Sequence, residues 1–536
     1  MLRITCLGAV GTVTGSNFLI ETPSGKKCLV DCGLYQGRKQ LEQRNWSDWG
    51  FDPAGIDTLL LTHAHIDHSG RIPKLVKDGF QGSILTTGPT LELCRIMLLD
   101  SAHIQETEAE WQSRKRARQG LRRVEPLYTT EDAEASLALF TEAKREAFIK
   151  LDADIRVRFR NAGHILGSSI LELHITEDRA QEPLKVVFSG DIGKKDQLIV
   201  KDPVPIQDAD AVFVESTYGN RNHRDFEESK QELLEAIRYS TDRGEKVLIP
   251  AFAVERSQEL LYILGEMQRD GQLPDIPIYL DSPLAIKATE IFRNNQAQYD
   301  SEAMAIVEQG IDPFNMPNLH FTLSTKESMA INEQAGPAIV IAANGMGTAG
   351  RIKHHFKHNL WRDGSSVVIV GFQAAGTTGR RLVDGARQIK IFGEQIAVRS
   401  KIYTIGGFSA HADQSDLLNW LGHFTSRPQV YIIHGEEQAS QALARAVTDH
   451  LGLKTHIPGW KEQLILKPSR EVEEIPVAEP GPDLSVQAMN TLVDLEKDLK
   501  TLKKQIEAKG RADDLSEEDL ERIQFLREEI QSMTNR

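Results

Sequence analysis

The segment LLLTHAHIDHSG constrains this chain more than any other. Leu59, Leu60 and Leu61 read as a buried strand. Directly after them come three imidazoles and a carboxylate within six positions: His63, His65, Asp67 and His68. In a strand-like backbone, His63 and His65 project to the same side. Asp67 and His68 follow where the chain turns into a helix. Such a cluster at the end of an apolar strand is costly unless it holds a metal ion. The alternative is a solvated polar loop.

Four more residues have the same form, each a polar group closing or following an apolar run. Asp31 ends CLVD, His164 sits in NAGHILGS, Asp191 follows VVFSGD and His434 follows VYIIHGE. Singly, each reads as a cap or turn residue. Together with the first cluster they supply imidazole and carboxylate for two ions, a donor set that favours zinc.

The 536 residues are 40% hydrophobic and 26% charged, ordinary usage for a globular chain. No apolar run approaches the ~18 residues of a membrane span, so no membrane partner is expected. The N-terminus reads as a strand and a loop rather than a leader. Cys6, Cys28, Cys32 and Cys94 form no C-x-x-C pair, which points to a reduced, cytoplasmic compartment. Net charge is −14 and excludes a generally basic surface. Residues 470–536 hold 10 basic and 17 acidic side chains, half of that excess. A polyanionic substrate must therefore be met locally, by metal ions or a basic patch.

The spacing predicts strands at ITCLGA, NFLIET, KKCLVDCG and IDTLLLTH. It predicts helices in GRIPKLVKDGF, TLELCRIMLLDSAHIQETEAEW and TEDAEASLALFTEAKREAFI. Strands return at DIRVRFRN, SILELHI, LKVVFSGD and ADAVFVES. From about 220, continuous apolar strands alternate with helices, the pattern of a parallel α/β unit. The earlier style resumes near 393 with SKIYTIGGFSAH and QVYIIHGE, so one domain interrupts another. The tail opens on a Pro- and Glu-rich linker. Leu492, Leu495, Leu499, Leu502 and Ile506 form a short heptad stripe, and Ser516 with Asp519 caps a second helix. This helical hairpin either packs on the protein's own body or serves a homodimer or protein partner.

HAHIDH, with Asp31, His164 and Asp191 at these intervals, resembles the metallo-β-lactamase superfamily. VFVESTYGN (Glu215), GGFSAHAD (His411) and IIHGE (His434) resemble motifs A, B and C of its β-CASP nucleases. IPAFAVERSQELL, YLDSPLAIKAT and GFQAAGTTGRRL resemble stretches of their inserted domain. The likeness covers residues 1–468. It is greatest to bacterial and archaeal relatives of the 73-kDa cleavage and polyadenylation specificity factor subunit. It implies an αββα metallo-β-lactamase sandwich over 1–218 and 393–468, with a parallel α/β β-CASP domain inserted over 219–392. A linker at 469–483 and the helical hairpin at 484–536 complete the expected organisation.

The resemblance also implies two Zn2+ per chain, one on His63, His65 and His164 and the other on Asp67, His68 and His434. Asp191 bridges them, and Asp31 orients a ligand imidazole. The two ions activate a hydroxide that hydrolyses single-stranded RNA in processing or decay, leaving 5′-phosphate and 3′-hydroxyl. Asp67, His411 and Glu215 are the catalytic residues it implies, with Glu215 raising the pKa of His411. Histidine at motif C, His434, goes with RNA. Competing readings are a nuclease acting on DNA, another binuclear hydrolase, and a non-catalytic scaffold of an RNA-processing complex.

The substrate contacts carry less signal. NGMGTAGR and QAAGTTGRR are Gly-rich and end in arginine. Their N–H groups, with Thr348, Arg351, Thr378, Arg380 and Arg381, could cradle RNA phosphates; tight turns explain them as well. RKRARQGLRR holds six basic residues between Arg114 and Arg123. It reads as a polyanion patch or as a solvated helix face.

Overall fold

Alternation along the short strands decides which layer each side chain enters. Phe18 and Ile20 point into one core, while Leu19 between them points into another. Cys28 and Val30 likewise oppose Leu29. Both faces of these strands are covered, so they read as continuous apolar runs rather than as an alternation of apolar and polar residues. The computed structural model describes residues 2–176, 182–374 and 376–466, with the backbone of Val472–Ile475.

Three large sheets and one two-stranded sheet organise these residues. The first runs Val472–Ile475, Gln463–Leu466, Leu2–Cys6, Phe18–Glu21, Lys27–Val30, Thr58–Leu60, Ser83–Thr86, Phe140–Glu142. The second runs Thr455–His456, Gln429–Ile432, Ala211–Val214, Leu184–Phe188, Ser169–Ile175, Ile155–Asn161, Phe148–Lys150. They face one another across a shared core in which Ile4, Phe18, Ile20 and Val30 meet Val157, Leu173, Phe188 and Phe213. Phe188 stacks on Phe213 at 4.5 Å, Phe213 on Tyr431 at 4.6 Å, and Phe18 closes on Phe188 at 5.5 Å. Each such ring contributes roughly 1.5–3 kcal/mol by burial.

Helices cover the outer faces. Ile72–Lys77 and the 30-residue helix Gly88–Ala117 pack Leu75, Leu93 and Leu98 beneath Leu19, Leu29 and Leu59. Gln414–Leu421 and Glu437–Leu451 pack Leu417, Trp420, Leu443 and Val447 on Val187, Val212 and Ile432. The result is an αββα sandwich. The third sheet is inserted between the two halves of this sandwich. Its order is Leu319–Phe321, Ile278–Leu280, Ala338–Ala342, Lys246–Pro250, Ser366–Ile369, Lys401–Thr404, and every pairing is parallel.

Two boundaries differ from expectation. The helix expected through TEDAEASLALFTEAKREAFI ends at Leu137. Its remainder forms edge strands, Phe140–Glu142 beside Ser83–Thr86 and Phe148–Lys150 beside Ile155–Asn161. Pairing with an open sheet edge outweighs local helix propensity there. The sandwich also resumes later than 393. Lys401–Thr404 is hydrogen-bonded to Ser366–Ile369 and so belongs to the inserted sheet, and the hairpin Gln388–Ile391/Glu394–Ala397 buries Ile389, Ile391 and Ile396 in the insert's core. Most of the linker and the whole hairpin at 484–536 lie outside the described residues. Among the described residues, no helix is long and apolar enough to cross a membrane, and Cys6, Cys28, Cys32 and Cys94 are buried and unpaired.

Candidate metal centre

The seven expected ligands lie in the loops that follow strands, or in the short turn after one of them, at one rim of the sandwich. Strand Thr58–Leu60 delivers His63. His65 is the N-cap of the single turn Ile66–Ser69, which carries Asp67 and His68. His164 lies in the loop between Ile155–Asn161 and Ser169–Ile175. Asp191 follows Leu184–Phe188, and His434 follows Gln429–Ile432. Asp31 and His434 hold φ of 58° and 49°. That left-handed backbone costs on the order of 1 kcal/mol for a residue other than glycine and persists where surrounding structure enforces it.

The donor atoms fall into two groups sharing a wall. Ligand atoms of His63, His65, His164 and Asp191 lie within 4.8 Å of one another, as do those of Asp67, His68 and His434. His65 Nδ1 lies 3.1 Å from His63 Nε2 and 3.2 Å from His164 Nε2. His68 Nε2 and His434 Nε2 are 3.1 Å apart. Asp191 reaches both groups, its Oδ2 at 3.5 Å from His63 Nε2 and its Oδ1 at 3.3 Å from His68 Nε2. That Oδ1 is buried without a hydrogen-bond partner. A buried, unpaired carboxylate oxygen facing convergent imidazole nitrogens fits a bound cation and is expensive without one.

Supporting contacts fix the rings. His68 Nδ1 donates to Asp31 Oδ2 at 2.7 Å, which turns its Nε2 inward. Asp31 in turn accepts from the Thr62 N–H at 2.9 Å, the Thr62 hydroxyl at 2.9 Å and the Ser16 hydroxyl at 3.0 Å. Thr217 Oγ1 lies 3.2 Å from His434 Nδ1, and Gln197 Nε2 donates to the His164 carbonyl at 3.0 Å. The reading of the sequence missed Thr62, Ser16, Thr217 and Gln197. Thr62 and Thr217 stood inside the quoted motifs, whereas nothing local marked Gln197.

Burial is the leading influence on His63, His65, Asp67, His68, His164 and His434. It pushes His63 and His164 well below the usual imidazole range and His65 to about 4. These three rings are neutral at pH 7 and present lone pairs. Burial also opposes charge on His68 and His434, but Asp191 with Asp31 for the first, and Asp191 with Asp67 for the second, raises them above the usual value. Burial works against ionised Asp67, yet the hydrogen bond from His434 and the charge of His68 hold its carboxyl below the usual range.

Glu215 and His411 stand beside this centre. His411 Nδ1 donates to Glu215 Oε1 at 3.2 Å and lies 4.0 Å from Asp191 Oδ2. Glu215 Oε1 also accepts from the Ile192 N–H at 2.7 Å. Burial opposes a charge on His411, but the Glu215 carboxylate prevails and raises it to about 9. His223 Nε2 donates to the His411 carbonyl at 2.8 Å. The Tyr218 ring lies 6.1 Å from His411 and 6.5 Å from Phe372, where the inserted sheet's loops meet the centre.

The residues expected to cradle phosphates are differently employed. The Arg351 guanidinium donates to Asp281 Oδ1 at 2.7 Å and to the carbonyls of Thr322 and Leu323. Arg380 pairs with Asp384, Arg381 donates to the Gln388 carbonyl, and the Thr348 N–H donates to the Asn344 side chain. Thr378 begins the helix Thr378–Val383, capped by the hydroxyl of Thr377. The two Gly-rich loops do meet, through Gly379 N–H to the Met346 carbonyl at 2.9 Å. The basic run from Arg114 to Arg123 is exposed, with Arg114 paired to Glu110.

Comparison with known proteins gives three matches along the chain. Residues 10–90 match the metallo-beta-lactamase superfamily, 257–382 the Beta-Casp domain and 395–458 the Zn-dependent metallo-hydrolase RNA specificity domain. The chain is 36% identical over 444 residues to Ribonuclease TTHA0252 of Thermus thermophilus, covering 83% of this chain and 95% of that protein. It is 32% identical over 486 residues to the transcription termination factor FttA of Pyrococcus abyssi, covering 87% and 72%. To FttA of Methanosarcina mazei it is 30% identical over 470 residues, covering 85% and 70%.

Proposed function

Since the chain belongs to the β-CASP ribonucleases of the metallo-β-lactamase superfamily and is a metal-dependent nuclease acting on RNA, we propose that it hydrolyses single-stranded RNA with two zinc ions, leaving a 5′-phosphate and a 3′-hydroxyl. The observation that carries this reading is the pair of ligand groups sharing Asp191 beside the His411–Glu215 pair. His63, His65 and His164 would hold one ion, Asp67, His68 and His434 the other, and Asp191 both. Bound there, the ions supply charge neutralisation for the phosphate and a lowered pKa for water. Imidazole and carboxylate donors suit zinc.

The chain's own groups account for orientation and proton movement. Asp31 fixes the His68 ring, and Thr217 the His434 ring, so their inward nitrogens keep one direction. Glu215 keeps His411 protonated at neutral pH. In hydrolysis the water gives up a proton to solvent, its oxygen bonds to phosphorus, and the bond from phosphorus to the 3′-oxygen breaks. The electron pair leaves on that oxygen, which takes its proton from His411. The acidic chain leaves neutralisation of the scissile phosphate to the cations of this centre.

The test is a 3′-end-labelled single-stranded RNA and its DNA twin with zinc-replete protein, read on a sequencing gel. Discrete intermediate fragments from RNA, with DNA spared, support endonucleolytic action. Immediate labelled mononucleotide supports attack from the 3′ end, and a direct jump to a short limit product supports attack from the 5′ end. Cleavage of neither strand would overturn the proposal. Zinc bound per chain, by mass spectrometry, tests the count of two.

A further inference from the structure

Away from the metal rim, the loop that joins Lys27–Val30 to Thr58–Leu60 folds over the sandwich and leaves a shallow hollow. Its volume is about 300 Å3, counting space open to solvent. Three cations line it: Arg44, Arg71 and Lys461. Aromatic faces hold them rather than carboxylates. Arg71 lies 4.9 Å from the centre of the Tyr35 ring and 4.8 Å from that of Trp49. Arg44 lies 4.2 Å from Trp460, and Lys461 lies 4.6 Å from the same ring. Among the described residues none of the three forms an ion pair with a carboxylate; Asp48, which also lines the hollow, is exposed. Cation–π contact holds such groups in place but leaves their N–H donors free for an anion.

Two further features set the hollow apart from ordinary packing. Asn17 is fully buried in its wall, with its side chain against the Cys32 thiol. Lys461 has a φ of 65°, a left-handed backbone that costs free energy for a residue other than glycine. Arg71, only 6% exposed, spends one N–H on the Gly33 carbonyl at 2.6 Å. A buried guanidinium lacking a counter-ion is unfavourable unless an anion arrives.

The hollow is tied to the metal centre by the first loop of the chain. The Leu7 carbonyl accepts from Tyr35 Oη at 2.5 Å and from Trp460 Nε1 at 3.1 Å, on the hollow's side. Two residues on, the Ala9 carbonyl accepts from the His434 N–H at 2.6 Å. Two residues of chain span at most ~7 Å.

We propose that this hollow is a second phosphate-binding site, and that its occupant is a backbone phosphate of the RNA strand outside the bond being cut. The proposal rests on the ribonuclease reading for its occupant. Charge complementarity selects that occupant: three unpaired cations gather on a chain of net charge −14 whose substrate is a polyanion. Arg44 and Lys461 touch the phosphate at the mouth, while Arg71 meets it at the floor.

The test compares a 20-nucleotide single-stranded RNA with a trinucleotide, using the full zinc-loaded chain and the Arg44→Gln/Lys461→Gln variant. Both positions are partly exposed and Arg44→Lys serves as the conservative control. The KM for the 20-mer is expected to rise about tenfold, with the slope of log affinity against log salt falling by about 0.7 for each cation removed. Trinucleotide turnover is expected to stay unchanged, and Arg44→Lys to retain most of the affinity. Fluorescence anisotropy of the same RNA reads binding without cleavage, so failure of the ribonuclease reading is seen separately from failure of the site. An unchanged 20-mer KM and salt slope would overturn the proposal. Equal loss on both substrates would overturn it too, because the residues would then be supporting the metal loop. Quenching of tryptophan fluorescence by AMP or inorganic phosphate in the parent alone, with 20-mer kinetics unchanged, would assign the site to a free anion and overturn the RNA occupant.

Discussion

Glu215 Oε1 and His411 Nδ1 lie 3.2 Å apart although 196 residues separate them in the chain. The contact joins the last strand before the inserted domain to the first loop after it. It therefore forms only when both halves of the sandwich have closed around the insert. Burial alone would deny His411 its charge, and the Glu215 carboxylate reverses that, raising it to about 9.

The sign of the resulting pH dependence follows directly. A raised imidazole pKa keeps the proton present below about 9 and loses it as pH rises through that value. Turnover is expected to hold on the neutral side and fall above about pH 9. In Glu215→Gln the largest raising influence is gone while burial and the charges of Asp191 and Asp67 remain, so the alkaline limb moves acidward from about 9. A kcat profile between pH 5 and 10, with metal content measured in parallel, checks this. An unmoved limb in the variant would remove His411 from the proton transfer.

Asp31 tests orientation separately from charge supply. Its carboxylate holds the His68 ring at 2.7 Å but belongs to neither ligand group. Asn tolerates the left-handed backbone at this position, so Asp31→Asn keeps the fold while weakening the bond to His68. Metal affinity is expected to drop by about 10–100-fold, read by competition with a chelator. Activity should recover at high zinc; failure to recover would mean that Asp31 does more than orient the ring.

Removal of metal should cost stability. Without a cation the buried Asp191 Oδ1 lacks a hydrogen bond, and five imidazoles crowd into the two ligand groups. A ligand at 100 times its dissociation constant adds about 2.7 kcal/mol. The melting temperature of chelator-treated protein is therefore expected to fall by several degrees and return with zinc. Asp67→Ala should bind about one zinc fewer, keep its fold and lose hydrolysis. Unchanged cleavage by that variant would sink the two-ion mechanism.

The candidate residues were legible in the sequence because each is a local signal, and the fold brings them into two groups. Each is a polar residue closing or following an apolar run, and HAHIDH packs four of them into six residues. The helix expected through 130–149 was misread because Phe140–Glu142 and Phe148–Lys150 are three-residue edge strands, too short to impose a period of two over helical spacing. Lys401–Thr404 looked like the returning domain because a four-residue apolar strand does not reveal which sheet it joins; only pairing with Ser366–Ile369 decides that. Arg351 looked free for phosphate because its partner, Asp281, lies 70 residues away. The cationic hollow left no signature for the same reason, its parts being drawn from positions as far apart as Asn17 and Lys461.

Gly33 is wedged between two loops: its N–H donates to the Ser16 carbonyl, and a Cβ there would lie 1.6 Å from the Asp67 carbonyl oxygen and 2.8 Å from the Ser16 nitrogen. Both obstacles are backbone, so no side-chain rotation relieves the clash. Gly33→Ala must push the turn that carries Asp67 and His68 outward. Overpacking of this kind costs about 3 kcal/mol or more, and the displaced turn should lose its zinc first. Gly25 is the contrast. Its φ is 87°, but nothing lies within 4 Å of its Cβ position, so Gly25→Ala costs only backbone strain of about 1–2 kcal/mol and leaves zinc content intact. Thermal melts with zinc analysis on both variants check the pair. Equal zinc in Gly33→Ala and the parent would mean that this contact does not position the ligands.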